Sequence, residues 1–181
     1  MPDVNQGSVL LTLARNAIAQ RLGMPVRPFD EPGWLSQPGA TFVTLTRQGQ
    51  LRGCIGSLKA QHPLGEDVVD NALAAAFGDP RFPPLTQKEL GTTRVEVSLL
   101  APQQVLQFAD ESDALAQLRP GIDGVVFECG SHRSTFLPQV WEHLPQPNIF
   151  MEQLKLKAGL PATFWSPEVR LQRYTVEKWK E

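Results

Sequence analysis

Cysteine is scarce in this chain, with two residues, Cys54 and Cys129, and histidine is little commoner, with three. These five are scattered without C-x-x-C, H-x-x-x-H or related ligand spacing, so no metal site is expected. Glycine-rich phosphate loops of the Walker or Rossmann type are missing as well, and no cofactor is expected. No apolar run approaches the roughly 18 residues that a bilayer-spanning helix requires. The first seven residues lack the basic and apolar regions of a signal peptide, which makes the cytoplasm the expected location. Thiols stay reduced there, so the two cysteines read as free rather than bridged. An excess of positive charge is also missing: 17 Lys and Arg stand against 19 Asp and Glu, a net charge of -2. That balance argues against broad nucleic-acid binding, including a role in RNA modification, because such binding relies on a basic face that releases counterions. A local basic pocket remains compatible with it. Internal repeats and low-complexity tracts are absent, and the 16 prolines are spread as punctuation.

What is present is an ordinary globular composition, 41% hydrophobic and 20% charged, over 181 residues. That length can bury one substantial core or split into a main body and a smaller lobe. Val9, Leu10, Leu13, Ala17, Ile18 and Leu22 recur at helical spacing and predict an amphipathic first helix over 8–22, stopped by Gly23. Residues 24–40 read as a proline-rich surface loop. Two β-rich segments, 42–46 and 51–57, flank "RQGQ" and predict a hairpin with Gln48-Gly49 at its tip. In that register Val43 faces Cys54 and Leu45 faces Arg52. A helix is expected over 64–77, with Glu66 and Asp67 in its first turn, where the macrodipole favours acids. Its later half, "NALAAAFGD", carries small side chains that let another element approach closely.

Three prolines keep "DPRFPPL" at 79–85 irregular. "TRVEVSLL" alternates as a half-buried strand, and a short helix follows near 112–118. A second hairpin, "DGVVFEC" and "RSTFLP", places Glu128 opposite Arg133. Asn148 is the expected N-cap of a helix over 149–158 that Gly159 stops, and a last strand is expected over 169–176. Paired strands with irregularly interspersed helices give an α+β class, a largely antiparallel sheet with flanking helices.

The chemically unusual stretch is "LRGCIGS" at 51–57, which sets an arginine, a thiol and two glycines inside a strand. Glycine in a strand marks a bulge or the close approach of a ligand or another backbone. On the first account Gly53 and Gly56 leave one face of the strand bare so that something small can lie on it. Arg52 and Cys54 then share that face by the period-two rule. Arg81, in a loop stiffened by Pro80, Pro83 and Pro84, joins Arg52 to clamp a phosphate or carboxylate bidentately. On the plainer account Gly53 is a bulge, Cys54 a small buried hydrophobe, Arg52 a solvated edge residue and Arg81 a cap on helix carbonyls. Cys54 as a nucleophile or redox residue requires Arg52 to lower its pKa, or His62, His132 or His143 to act as base. Cys129 reads as core, as do Trp34, Trp141, Trp165 and Trp179 at the core or between lobes. Glu128 and Arg133 read as a cross-strand surface pair.

"LRGCIGS" at 51–57, "DPRFPPL" at 79–85, "VEVSLL" at 95–100 and "GVVFECGSHRSTFLPQVWEHLP" at 124–145 resemble the successive motifs of the AMMECR family, in that family's order. "FMEQLKLKAGLPATFWSPEVRLQRYTVE" resembles its C-terminal segment, so the likeness covers nearly the whole chain. The resemblance implies a single AMMECR-type domain over 1–181, with two lobes and a cleft between them beside the glycine-rich strand. It also implies membership of the AmmeMemoRadiSam system, with a Memo-like protein and a radical-SAM protein as companions. It supplies no established reaction. The expected function is therefore a binding or accessory subunit that holds a small anionic ligand or a partner peptide through Arg52, Gly53, Cys54, Gly56 and Arg81. The alternative is a thiol-dependent enzyme using Cys54.

Overall fold

A computed structural model describes residues 4–181. The chain divides into two compact units, residues 1–100 with 177–181 and residues 101–176. Both combine antiparallel strands with helices, as expected for the α+β class. None of the described helices is long and apolar enough to cross a membrane.

The first unit begins with α1 (Val4–Arg21), followed by a 3-10 turn at Gly33–Ser36 and the two-residue strand β1 (Pro38–Gly39). Strands β2 (Thr41–Arg47) and β3 (Gln50–Gly56) form the hairpin, and β4 (His62–Pro63) pairs with β1. Then come α2 (Leu64–Phe77), the short α3 (Gln87–Leu90) and β5 (Thr93–Leu100). The hairpin tip is Gln48-Gly49, with φ of 54° and 76°. Two successive positive φ values match the right-handed twist of the strands, which is why glycine is placed there. With β10 (Val176–Lys180), contributed by the end of the chain, β2, β3 and β5 form a four-stranded sheet in the order β10-β5-β2-β3, which leaves β3 at an edge.

Period-two alternation puts Val43, Leu45, Val95 and Val97 on one face of this sheet, all fully buried. They meet Leu10, Ala14 and Ile18 of α1 and Val68, Ala72 and Ala75 of α2 in one apolar cluster. Each large side chain in it contributes about 1.5–3 kcal/mol by leaving water. A buried polar knot fastens α2 to the sheet. Asp67 accepts from the Thr41 amide at 2.8 Å, the Thr41 hydroxyl at 2.7 Å and the Ser57 hydroxyl at 2.6 Å. The Asn71 amide donates to the Thr41 carbonyl at 3.0 Å.

The second unit contains β6 (Gln104–Val105), α4 (Glu111–Gln117), β7 (Gly124–Cys129), β8 (His132–Phe136), a 3-10 turn at Pro138–Glu142, α5 (Pro147–Lys157) and β9 (Arg170–Tyr174). The sheet order is β6-β9-β7-β8. Phe150, Met151 and Leu154 of α5 pack on Val125, Phe127 and Leu171. Trp141 stacks on Phe150 with ring centroids 3.8 Å apart and donates its indole N–H to the Asp123 carbonyl at 2.7 Å. Cys129 is buried, and Glu128 meets Arg133 across the hairpin at 3.1 Å.

Several readings differ from expectation: α1 starts at Val4 rather than at 8, and the segment 24–40, expected as loop throughout, contains a 3-10 turn and β1. Helix α5 starts at Pro147 with Gln146 as its N-cap, so Asn148 lies in the first turn; proline's fixed φ and missing N–H suit the first helical position. The single strand expected over 169–176 is two strands, β9 and β10 (Val176–Lys180), which belong to different sheets. The hairpin register is also displaced. Cys54 faces Thr44 and Gly53 faces Leu45, with a shift between Leu45 and Thr46 that leaves Arg52 as the extra, bulged residue. Strict alternation breaks at such a bulge, which re-aims the side chain that carries it.

Candidate functional site

The bulge turns Arg52 inward: the residue is only 8% exposed. Its Nε donates to Glu89 Oε2 at 2.9 Å, and its Nη2 donates to Glu89 Oε1 at 3.3 Å and to the Pro83 carbonyl at 2.7 Å. Glu89 is a hub. It completes a capping box at the start of α3, accepting from the Thr86 amide and hydroxyl, each at 3.2 Å. Arg47 adds a third cationic contact at 3.4 Å. The Arg52 guanidinium above all holds the Glu89 carboxyl down at about 2, against the opposing effect of burial. One nitrogen of Arg52, Nη1, is buried with no hydrogen-bond partner among the described residues.

Cys54 sits two residues further along the edge, half-buried, with its main-chain groups held by the loop at 79–81. Its N–H donates to Asp79 Oδ2 at 3.0 Å, and its carbonyl accepts from Arg81 Nη2 at 3.3 Å. Asp79 and Arg81 are themselves paired in the bidentate manner, Nε to Oδ1 at 3.0 Å and Nη2 to Oδ2 at 2.7 Å. The Arg81 guanidinium pulls the Asp79 carboxyl far below the usual carboxylate range, and Asp79 in turn raises Arg81. The Asp79 side chain is 2% exposed and that of Arg81 55%. Proline-stiffened residues thus supply the donor and acceptor that a neighbouring strand would otherwise offer to an open edge. The Phe82 ring lies near both guanidinium groups, with centroid distances of 5.8 Å from Arg52 and 5.5 Å from Arg81.

On the side of the sheet away from the apolar cluster, registered pairing sets Cys54, Thr44 and Glu96 in one cross-strand row. The next row is Gly56, Phe42 and Ser98. The Cys54 sulfur lies 3.3 Å from the Thr44 hydroxyl. No histidine is hydrogen-bonded to Cys54 among the described residues.

The vacancy expected over the glycines is filled by the protein. A β-carbon at Gly53 would collide with the main-chain carbonyl oxygen of Ala75 in α2, and one at Gly56 would enter the Phe42 ring. The small residues of α2 and the missing side chain at 53 are two halves of one close contact. The bidentate clamp expected from Arg52 and Arg81 is likewise occupied, since each fork grips a carboxylate of the chain itself. Arg52 is not a solvated edge residue, and Arg81 caps no helix: it closes on Asp79 and the β3 edge. The guanidinium groups of Arg52 and Arg81 therefore meet at the Phe82 ring and Cys54 is tied to Arg81 through its carbonyl, while Gly53 and Gly56 lie against the chain's own atoms. Asp79, Glu89, Phe82 and Thr44 were not read from the sequence. The Thr86-x-x-Glu89 capping box was a legible signal; the partner Glu89 takes, 37 residues away, was not.

Comparison with known proteins agrees with these motifs. Residues 11–179 match the family model described as AMMECR1. A protein of Methanothermobacter thermautotrophicus is 37% identical over 98% of this chain and 95% of its own. Protein MJ0810 of Methanocaldococcus jannaschii is 37% identical over 98% of this chain and 91% of its own. The crystal structure of the uncharacterized protein PH0010 from Pyrococcus horikoshii superposes with a TM-score of 0.88 at 33% identity, covering 98% of this chain and 92% of that one.

Proposed function

The chain belongs to the AMMECR1 family, and on that footing we propose that it is a binding or accessory subunit whose recognition surface is the β3 edge with its clamping loop. It holds a small anionic ligand or a segment of a partner peptide, and it works beside a Memo-like protein and a radical-SAM protein. The observation that carries this reading is the buried, unpartnered Nη1 of Arg52, two positions along the strand from half-buried Cys54, whose carbonyl holds the half-exposed guanidinium of Arg81. An unsatisfied buried donor costs about 1–3 kcal/mol, and a ligand oxygen placed on it removes that cost. Because Glu89 and Asp79 already occupy both arginine forks, the ligand meets single N–H groups rather than a bidentate clamp. Titration calorimetry with nucleotides and small carboxylates, run on the wild type and Arg81→Ala, reads the ligand. Pull-down with purified Memo-like and radical-SAM proteins reads the partners. Heat on binding that falls in the variant, or capture of either protein, upholds the reading; the absence of both ends it.

The thiol-dependent alternative keeps one supporting observation: Arg81 Nη2 donates to the Cys54 carbonyl at 3.3 Å, which holds a guanidinium at the residue that carries the thiol. Iodoacetamide labelling across pH decides it, with buried Cys129 as the unreactive internal reference. A rate that levels off near neutrality supports catalysis. A midpoint at the ordinary thiol value of about 8.5 removes it.

A further inference from the structure

Away from β3, the first unit carries a groove between α1 and α2. Two adjoining depressions of about 680 and 650 Å³ share Leu13, Glu31 and Val69 in their walls. Helical spacing explains the floor. Leu13 and Ala17 recur one turn apart on α1, Val69 and Leu73 one turn apart on α2, and all four are half-exposed, so the two helices present facing apolar stripes to solvent. Phe29 and Val26 extend the floor from the segment that follows α1, and Val26 is 49% exposed. That segment is tied down rather than loose. Asn16 brackets the main chain of Arg27, accepting from its N–H at 2.9 Å and donating to its carbonyl at 2.6 Å. The groove is thus formed before anything enters it, which lowers the ordering cost of binding.

The rim is acidic. Glu66 and Asp70 stand on α2 at positions i and i+4, flanking the Val69 stripe, and Glu31 faces them from the connecting segment. All three are exposed. Among the described residues no ion pair or hydrogen bond engages their side chains, although other carboxylates, such as Glu89, Asp79 and Glu181, are paired with arginine. The one cation in the wall, Arg21, lies at the far end over the Phe77 ring at 5.8 Å.

We infer that this groove docks a cationic amphipathic segment of a partner protein, with apolar side chains on the Leu13–Val69 floor and lysine or arginine on Glu31, Glu66 and Asp70. An apolar strip flanked by three free carboxylates repels an anionic membrane surface and an acidic peptide. It complements a chain that alternates apolar anchors with positive charge. The site is separate from the β3 edge and does not depend on the ligand proposed there.

The test uses the full chain and a fluorescent Leu/Lys amphipathic peptide of roughly 15 residues, long enough to hold a helical face, with a Leu/Glu peptide of the same pattern as its counterpart. Anisotropy is expected to show saturable binding of the Leu/Lys peptide alone, weakened by salt and weakened about tenfold or more in Glu66→Lys/Asp70→Lys. Leu73→Ser, a second and half-exposed position, is expected to weaken it without changing the salt dependence. Amide shifts of the wild type on titration are expected at Leu13, Val69 and Leu73. The inference is overturned by equal binding of both peptides, by wild-type affinity in the charge-reversed protein, or by no binding at millimolar peptide. Sedimentation showing a dimer that Glu66→Lys dissociates overturns it too, by assigning the groove to a second copy of the chain.

Discussion

At Gly53 and Gly56 the missing side chain does a different job at each position, and alanine substitution separates them. The neighbour of Gly53 is a helix carbonyl, Ala75 O, which cannot yield without moving α2; the neighbour of Gly56 is the base of the partly exposed Phe42 ring, a side chain that yields by changing rotamer without moving main chain. Gly53→Ala is therefore expected to cost about 1–3 kcal/mol by overpacking, seen as a lower thermal midpoint, and Gly56→Ala clearly less. Equal losses, or a larger one at Gly56, would show that α2 does not rest on the strand as described. The same pair explains why the sequence was readable only in part here. A glycine in a strand announces that something comes close, and says nothing of whether that is a ligand or the chain itself. The complementary clue, the small residues of "NALAAAF", lay some twenty positions downstream, and only the register links it to Gly53.

The segment from Asp79 to Leu90 acts as a unit that seals the β3 edge. Its two carboxylates hold different things: Asp79 the main chain of Cys54, Glu89 the side chain of Arg52. Asp79→Asn keeps the shape but gives up the charge that binds Arg81. The Cys54 amide is then expected to exchange with deuterium at least about tenfold faster, since each 1.4 kcal/mol of lost local stability is a factor of ten. Unchanged exchange would mean that the loop is not what protects the edge. Glu89→Gln strands a nine-tenths-buried guanidinium, an arrangement that costs about 3–5 kcal/mol when one partner of a buried pair is removed. Arg52→Met combined with Glu89→Met is expected to recover part of that loss in chemical denaturation, because no unpaired charge remains. A double variant as unstable as Glu89→Gln would locate the loss in packing instead. Most elements around this loop were legible in the sequence: α2 matches its expected bounds, β5 reads directly from alternation, and the turn at Gln48-Gly49 follows from its glycine. The bulge at Arg52 was not, because an extra residue in one strand is visible only against its partner strand.

Across the whole molecule the perturbed ionisations fall in different units, and this makes opposite ends of the pH scale act on different places. Glu89 and Asp79, both in the first unit, are held below their ordinary values, Glu89 at about 2 in the fold against 4.5 for the free group. A carboxyl depressed by folding contributes stability that is fully present above its unfolded value and disappears as pH falls through the folded one. The clamp on the β3 edge should thus weaken from about pH 4.5 downward, Glu89 first and Asp79 at still lower pH. Tyr174 in the second unit behaves inversely: burial pushes its phenol up to about 12, outweighing the hydrogen bond with Thr135 that pulls it down. The neutral phenol is what the fold favours, so its contribution is complete below about pH 10 and is lost as pH rises through 12. Deuterium exchange resolved by residue is expected to show Cys54 and the α3 amides opening first in acid, and Val125 and Thr135 opening first in alkali. Acid exchange that begins in β7 and β9 would contradict the assignment of the clamp to Glu89 and Asp79. The allocation behind this pattern depends on where β9 ends and β10 begins. Thr175 separates strands of two different sheets, and alternation read along one chain cannot reveal which sheet a strand will join.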